Sequence, residues 1–157
     1  GDANDCMSEH KDCFEEIDPQ KIKYDFVARR GDSLTVIWQI NAKSANDDED
    51  EEDDSGVNFY TLVKILELDA GGNANEDSPA AISMINVKDL SADFTIYGTM
   101  NARVGSGGLM AGKSYRVKLY YFLPNAKFCD EDCQDDCSAE NAVELSYIKL
   151  ILLKGRE

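Results

Sequence analysis

Histidine is almost absent: His10 is the only one in 157 residues. With no second imidazole and no nucleophile in a recognisable frame, a Ser/His/Asp hydrolase or a histidine-rich metal centre has nothing to build from. Basic residues are scarce, 16 against 31 acidic, for a formal charge of -15. Such a surface repels nucleic acid and anionic lipid, so neither is expected as a partner. No stretch approaches the roughly 18 consecutive apolar residues of a membrane-spanning helix. There is no P-loop and no dinucleotide fingerprint. Gly105-Ser-Gly-Gly108 is glycine-rich but leads into a strand pattern, not a helix, so it reads as a turn. No Asn-x-Ser/Thr sequon occurs, which favours a prokaryotic or unglycosylated source. Helical periodicity is nearly missing, and no internal repeat is evident. These absences point to a non-enzymatic chain.

What is present is period-two alternation. Its clearest case places Tyr115, Val117, Leu119, Tyr121 and Leu123 on one face, with Arg116, Lys118, Tyr120 and Phe122 on the other. Nine residues rich in aromatic and β-branched types predict a strand with one buried face. Further strands are expected at 21–26 (Ile22, Tyr24, Phe26 inward) and at 33–41 (Leu34, Val36, Trp38, Ile40 inward). Residues 59–68 are apolar on both parities, as in a central strand covered on both sides. Residues 82–87 read as a short edge strand, and 94–104 as a strand with Gly98 at a bulge. Residues 142–153 close the chain. There Ile148, Leu150 and Leu152 fall on one face and Ile151 and Leu153 on the other. This last stretch, above all from Tyr147 to Leu153, is either a central strand or an exposed edge that pairs with another subunit. About seven strands with turn signals between them predict one all-β domain, an antiparallel sandwich over 21–157. It follows a polar arm, 1–20, with a short helix from about Asp5 to Glu16.

Five cysteines fall in two clusters, Cys6 and Cys13, then Cys129, Cys133 and Cys137. On a helix Cys6 and Cys13 stand roughly 10 Å apart, too far to bond each other. Each is expected to bridge to the 129–137 cluster, which staples the arm to the sandwich. Closing such long loops is worth roughly 4–5 kcal/mol each. The fifth cysteine is then free or bridges to another subunit. A zinc site of Cys129, Cys133, Cys137 and His10 is the alternative. The surrounding acids disfavour it because they raise thiol pKa values. The opening Gly-Asp-Ala-Asn, without methionine, suits either a secreted chain with its signal removed or one trimmed of a tag. An oxidising, extracellular or cell-surface location is the expectation.

Residues 47–54 are eight consecutive carboxylates. They form either a solvated acidic loop or a calcium site, with Asp47, Asp48, Asp50, Asp53 and Asp54 as ligands in excess. Asp130 and Asp132 in the cysteine loop are a second candidate, and calcium is the only cofactor expected. Arg30-Gly31-Asp32 is the tripeptide that integrins read. It is also ordinary turn chemistry ahead of a strand.

Gly108-Leu109-x-x-Gly112-x-x-Tyr115-x-Val117, with Leu34-Thr-Val-Ile-Trp38, resembles the fibronectin type III and immunoglobulin-like sandwiches. The resemblance implies that Tyr115 packs in the core with its hydroxyl bonded to backbone just upstream, beside Leu109 and Gly112. It also implies that Trp38 is the core tryptophan. Function is not implied. A similarity to the secreted lipid-binding sandwiches of the MD-2-related family rests on Arg30-Gly31, Gly112-x-x-Tyr115, a cysteine loop and an apolar last strand. It implies a lipid carrier. Prokaryotic surface-filament subunits, with their similar Gly-Asp-Ser-Leu strand openings, offer a third analogy. The reading that follows is a structural, adhesion or assembly subunit that works through protein partners or self-association.

Overall fold

The computed structural model describes residues 14–44, 57–90, 94–105, 108–122 and 143–156. Among them there is no helix. Eight strands form two antiparallel sheets: β1 (Glu15–Glu16), β2 (Lys23–Val27), β3 (Asp32–Ser44), β4 (Val57–Glu67), β5 (Ala81–Leu90), β6 (Phe94–Arg103), β7 (Ser114–Phe122) and β8 (Val143–Arg156). One sheet runs β1-β7-β4-β5, with β2 also paired to β7, and the other runs β6-β3-β8. The strands β1 and β2 lie along β7 one after the other, so they occupy one edge between them. The expected seven strand positions are therefore present.

The break between β1 and β2 has a local cause. Asp18 adopts a positive φ of 43°, which aspartate tolerates better than most residues. The chain turns there, and the Lys21 and Ile22 amides donate to the Asp18 carbonyl (3.0 and 2.8 Å). The expected helix does not extend to Glu16. Glu15 and Glu16 instead pair with Tyr121 and Tyr120, and the Ile17 amide donates to the Leu119 carbonyl at 2.8 Å. Ile17 is buried, so the sheet begins before residue 21. Tertiary pairing outweighed local helix signals that were worth only a few tenths of a kcal/mol per residue.

The core lies between the sheets. Leu34, Val36, Trp38 and Ile40 of β3 face Val63 and Ile65 of β4 and Tyr115, Val117 and Leu119 of β7, all at 0–1 % exposure. The alternation expected for β3 and β7 holds along these inward positions. It fails on the outer face of β7, where Tyr120 and Phe122 are buried too. Phe122 packs against Phe14 and Tyr60 (ring centroids 5.0 and 6.0 Å), so this end of the sheet's outer face carries its own small aromatic cluster. The strand β4 is central and buried on both sides, as its double parity requires, and β5 is an edge.

Gly98 is not at a bulge. It pairs in regular register with Trp38. A Cβ on Gly98 would lie 2.1 Å from Trp38 Cζ2, so the glycine is there to admit the indole. The tyrosine motif forms as the resemblance implies. Tyr115 is 1 % exposed, and the Met110 amide donates to its hydroxyl oxygen at 2.8 Å. Gly112 takes a φ of 89° and donates its amide to the Ala28 carbonyl, and Leu109 is buried beside it.

Candidate functional site

The strand β8 is the first feature with an unassigned capacity. It pairs with β3 alone, from Asp32↔Arg156 to Ser44↔Val143, so among the described residues its other edge is unpaired. Of the two placements open for this stretch, central strand or edge, it is an edge among the described residues. Ile148, Leu150 and Leu152 pack on the core. Ile151 and Leu153 fall on the outer face and are 43 % and 50 % exposed. A bulge between Gln39 and Asn41 is accommodated by Tyr147, which takes a φ of 50° and stands 75 % exposed. Register aligns Ile151 with Ile37 and Thr99, and Leu153 with Thr35 and Asn101. The result is an outer-face patch of Ile37, Ile151 and Leu153 with Thr35, Thr99 and Asn101, next to the edge that is unpaired among the described residues. Lysine and strand irregularity commonly blunt such edges, and here Lys149, Lys154 and the bulge do so partially.

The second feature is the distribution of charge. Every junction leading to the segments 1–13, 45–56, 91–93 and 123–142 lies at one end of the sandwich. Register shows it: Ser44 pairs with Val143, Ala42 with Phe94, Val57 with Leu90, and Glu15 with Tyr121 next to Phe122. These four segments contain 19 of the 31 acidic residues and two of the 16 basic ones, a net -17. The described strands and turns hold 11 acidic and 14 basic residues, a net +3, and Glu157 supplies the last acid. The opposite end carries the β2–β3 turn and the end of β8. There Arg29, Arg30, Arg103 and Lys154 are exposed. A cleft of about 450 Å³ opens between Arg29, Asp32, Lys154 and Gly155. Lys154 lies over the Phe26 ring, 5.4 Å from its centroid, which anchors the stem of the side chain.

The third feature is a charged network on the outer face of the five-stranded sheet. Lys118 Nζ meets Glu76 at 2.9 Å and Glu16 at 3.4 Å, and the Tyr120 hydroxyl donates to Glu76 at 3.0 Å. Burial, then the Glu76 charge, raises the Tyr120 phenol far above its ordinary value. It stays neutral, so it acts as a donor rather than a base. Burial raises Glu76, but bonds from Lys118 and Tyr120 outweigh it and hold the carboxyl below its ordinary value. Each charged group here is answered by another, and the network pins the 69–80 loop to the sheet. Burial and a hydrogen bond to Glu15 push Tyr121 up to about 12 in the same way.

The residues expected to act fall as follows. Cys6, Cys13, Cys129, Cys133, Cys137 and His10 lie outside the described residues. So do Asp47, Asp48, Asp50, Asp53, Asp54, Asp130 and Asp132. Cys13 directly precedes Phe14, whose ring packs tilted against Phe122, so the two cysteine-bearing segments join the sandwich at adjacent points. Among the described residues no cluster of three or more His, Cys, Asp or Glu could hold a metal. The Arg30-Gly31-Asp32 turn does not offer its acid outward. Asp32 is 5 % exposed, and its carboxylate accepts the Arg29 amide at 3.2 Å. A receptor-bound cation needs a protruding carboxylate, and this one closes its own turn. That the junctions to these acidic segments share one end had no signal in any local motif, because it depends on which ends of the strands the segments join.

No family model matches the chain, and no curated protein matches it by sequence.

Proposed function

We propose that this chain is a secreted or cell-surface, non-enzymatic sandwich of immunoglobulin-like strand arrangement that works by contact, as a structural or assembly subunit. One observation carries the reading: β8 is a 14-residue edge strand that exposes Tyr147, Ile151 and Leu153. Exposed apolar edges of this length pair with other chains. The immunoglobulin-like arrangement draws on the pairing of β3 with β6 and of β4 with β7, together with the Tyr115 hydroxyl bond. Disulfides from the N-terminal cysteines and calcium at the acidic segments belong to the same reading, as supports for the end of the sandwich where those segments meet it.

A lipid carrier draws no support from the core. That role needs an apolar cavity, and the space between the sheets is filled by Trp38, Tyr115 and aliphatic side chains at 0–1 % exposure.

The test is sedimentation of the non-reduced chain, with and without a calcium chelator, beside the variants Ile151→Lys and Leu153→Lys. Oligomers in the parent that disappear in the variants support the edge. A monomer at all concentrations that ignores the chelator overturns the assembly and calcium readings together.

A further inference from the structure

We propose that two copies of this chain pair face to face through the outer face of the β6-β3-β8 sheet and close a two-fold dimer about Ile37. The inference rests on the assembly reading and names its partner as a second copy. It uses the face of the sheet and not the β8 edge, so the two contacts can fail separately.

Register stacks the outward positions of the three strands in four rows, from Leu153–Thr35–Asn101 at one end to Ser146–Asn41–Thr95 at the other. These twelve positions hold one charged residue, Lys149, and no acid, in a chain of which 30 % is charged. The outer face of the other sheet differs. There acids stand among the cations, with Asp25 on Arg116 and Glu76 on Lys118. On the neutral face Tyr97, Leu153 and Ile151 are 65 %, 50 % and 43 % exposed. Few charges with prominent aromatic and aliphatic side chains is the composition of an interface centre. The Thr35 hydroxyl donates to Asn101 Oδ1 at 2.9 Å. That bond ties side chains of neighbouring strands together and lowers the entropy lost on docking.

Charge names the occupant. Each copy carries -15, so copies repel wherever their acids come together. Of the two outer faces, only this one lets like copies meet without opposing carboxylates. A two-fold axis along β3 lays β8 of each copy over β6 of the other, which makes the contact isologous and closed. Ile37 then meets Ile37, Ile151 meets Thr99, and Lys149 lies over the Tyr97 ring of the other copy as a cation–π pair. The single cation of each face is thus placed on an aromatic ring and away from its counterpart. Three strands at about 4.8 Å and four rows at about 6.7 Å give a footprint of roughly 400 Å² per copy. A standard interface takes roughly 800 Å² per partner, so this dimer is reversible and concentration-dependent.

The experiment is sedimentation of the full chain over a concentration series, with free thiols alkylated so that no intermolecular disulfide forms. The main variant is Tyr97→Lys with Thr99→Lys. Both residues are exposed on β6, two strands or about 10 Å from the free edge of β8. Thermal melting checks that the variant folds. Two added cations make the chain less negative, so lost association cannot come from net charge. The expected result is a parent dimer whose dissociation constant rises about tenfold or more in the variant. Hydrogen exchange along β8 should match in the parent dimer and the variant monomer, because face packing leaves that edge open. Tyr97→Glu alone meets Lys149 of the other copy and should weaken the dimer less than Tyr97→Lys alone; the reverse order overturns the two-fold alignment. Dimers that survive the double substitution, with β8 amides protected, overturn the face and leave the edge as the contact of the assembly reading. A parent that is monomeric at every concentration overturns the assembly reading as well and leaves the face to an unlike partner.

Discussion

Gly98→Ala isolates the packing that holds the two sheets together. In a strand interior, replacing glycine by alanine ordinarily stabilises by roughly 0.5–1 kcal/mol, because the unfolded chain loses freedom. Here the sign should reverse. The new methyl would sit 2.1 Å from Trp38 Cζ2 and 2.2 Å from Cε2, about 1.5 Å inside ordinary contact. Trp38 is 0 % exposed and packs among Leu34, Val36, Ile40 and Val117, so the ring has no free space to move into. Overpacking alone costs about 1–3 kcal/mol. Displacing a buried indole adds part of the 3–5 kcal/mol that losing such a side chain costs. A net destabilisation of about 3 kcal/mol or more is expected, or roughly 6–12 °C in Tm for a chain of this length. A double-mutant cycle makes the test specific. The Trp38 Nε1–H has no hydrogen-bond partner among the described residues, so Trp38→Leu removes shape without orphaning an acceptor. In that background Gly98→Ala should cost under about 1 kcal/mol, giving a coupling near 2 kcal/mol or above. Urea denaturation measures all four proteins. Additive effects, or a Gly98→Ala chain as stable as its parent, would refute the account of Gly98 as the seat of the indole.

Two further outcomes follow from named contacts. Tyr115→Phe keeps the ring, which stacks on Phe26 at 5.7 Å, and deletes only the acceptor of the Met110 amide. Met110 is 57 % exposed, so water partly replaces the bond, and a loss of about 1 kcal/mol in urea denaturation is expected; no loss at all would mean the hydroxyl does not fasten this corner. Asp25 takes two bonds from Arg116, at 2.7 and 2.9 Å, and the guanidinium holds its carboxyl below the ordinary 3.8 against a smaller desolvation effect. A depressed folded pKa gives stability that is present above the unfolded value and lost as pH falls through the folded one. For this pair, whose carboxylate is 48 % exposed, the difference between the parent and Asp25→Asn should be about 0.5 kcal/mol at pH 7 and fade below about pH 3; a difference that grows on acidification contradicts the assignment.

Strand identity was legible residue by residue. Alternation at Leu34, Val36, Trp38 and Ile40, and at Tyr115, Val117 and Leu119, reflects a period of two that survives any tertiary context with one buried face. Double parity over 59–68 marked a strand covered on both sides, and β4 is so covered as far as Leu66, with Leu68 beyond its end and only partly buried. The same double parity at residues 148–153 was ambiguous. An exposed apolar face and a second buried face look alike in sequence, and only pairing made β8 an edge. Gly98 shows a different limit. Glycine in a strand signals a close approach or a bulge equally, and the approaching atom came from Trp38, 60 positions away. Glu15 and Glu16 joined the sheet because β7 offered unpaired backbone there, which no local pattern encodes.

The scarcity of basic residues sets a net charge of -15, and composition by itself carries the expectation that polyanions are repelled. Composition could not determine that the junctions to four acidic segments share one end of the sandwich. That follows from antiparallel register, which brings those junctions to the same ends of their strands and leaves Arg29, Arg30 and Lys154 at the other. Local alternation is a property of neighbours in sequence, so the chain carries it in its own letters. Polarity, edges and the Trp38 seat are properties of neighbours in space, so the packing of the two sheets decided them.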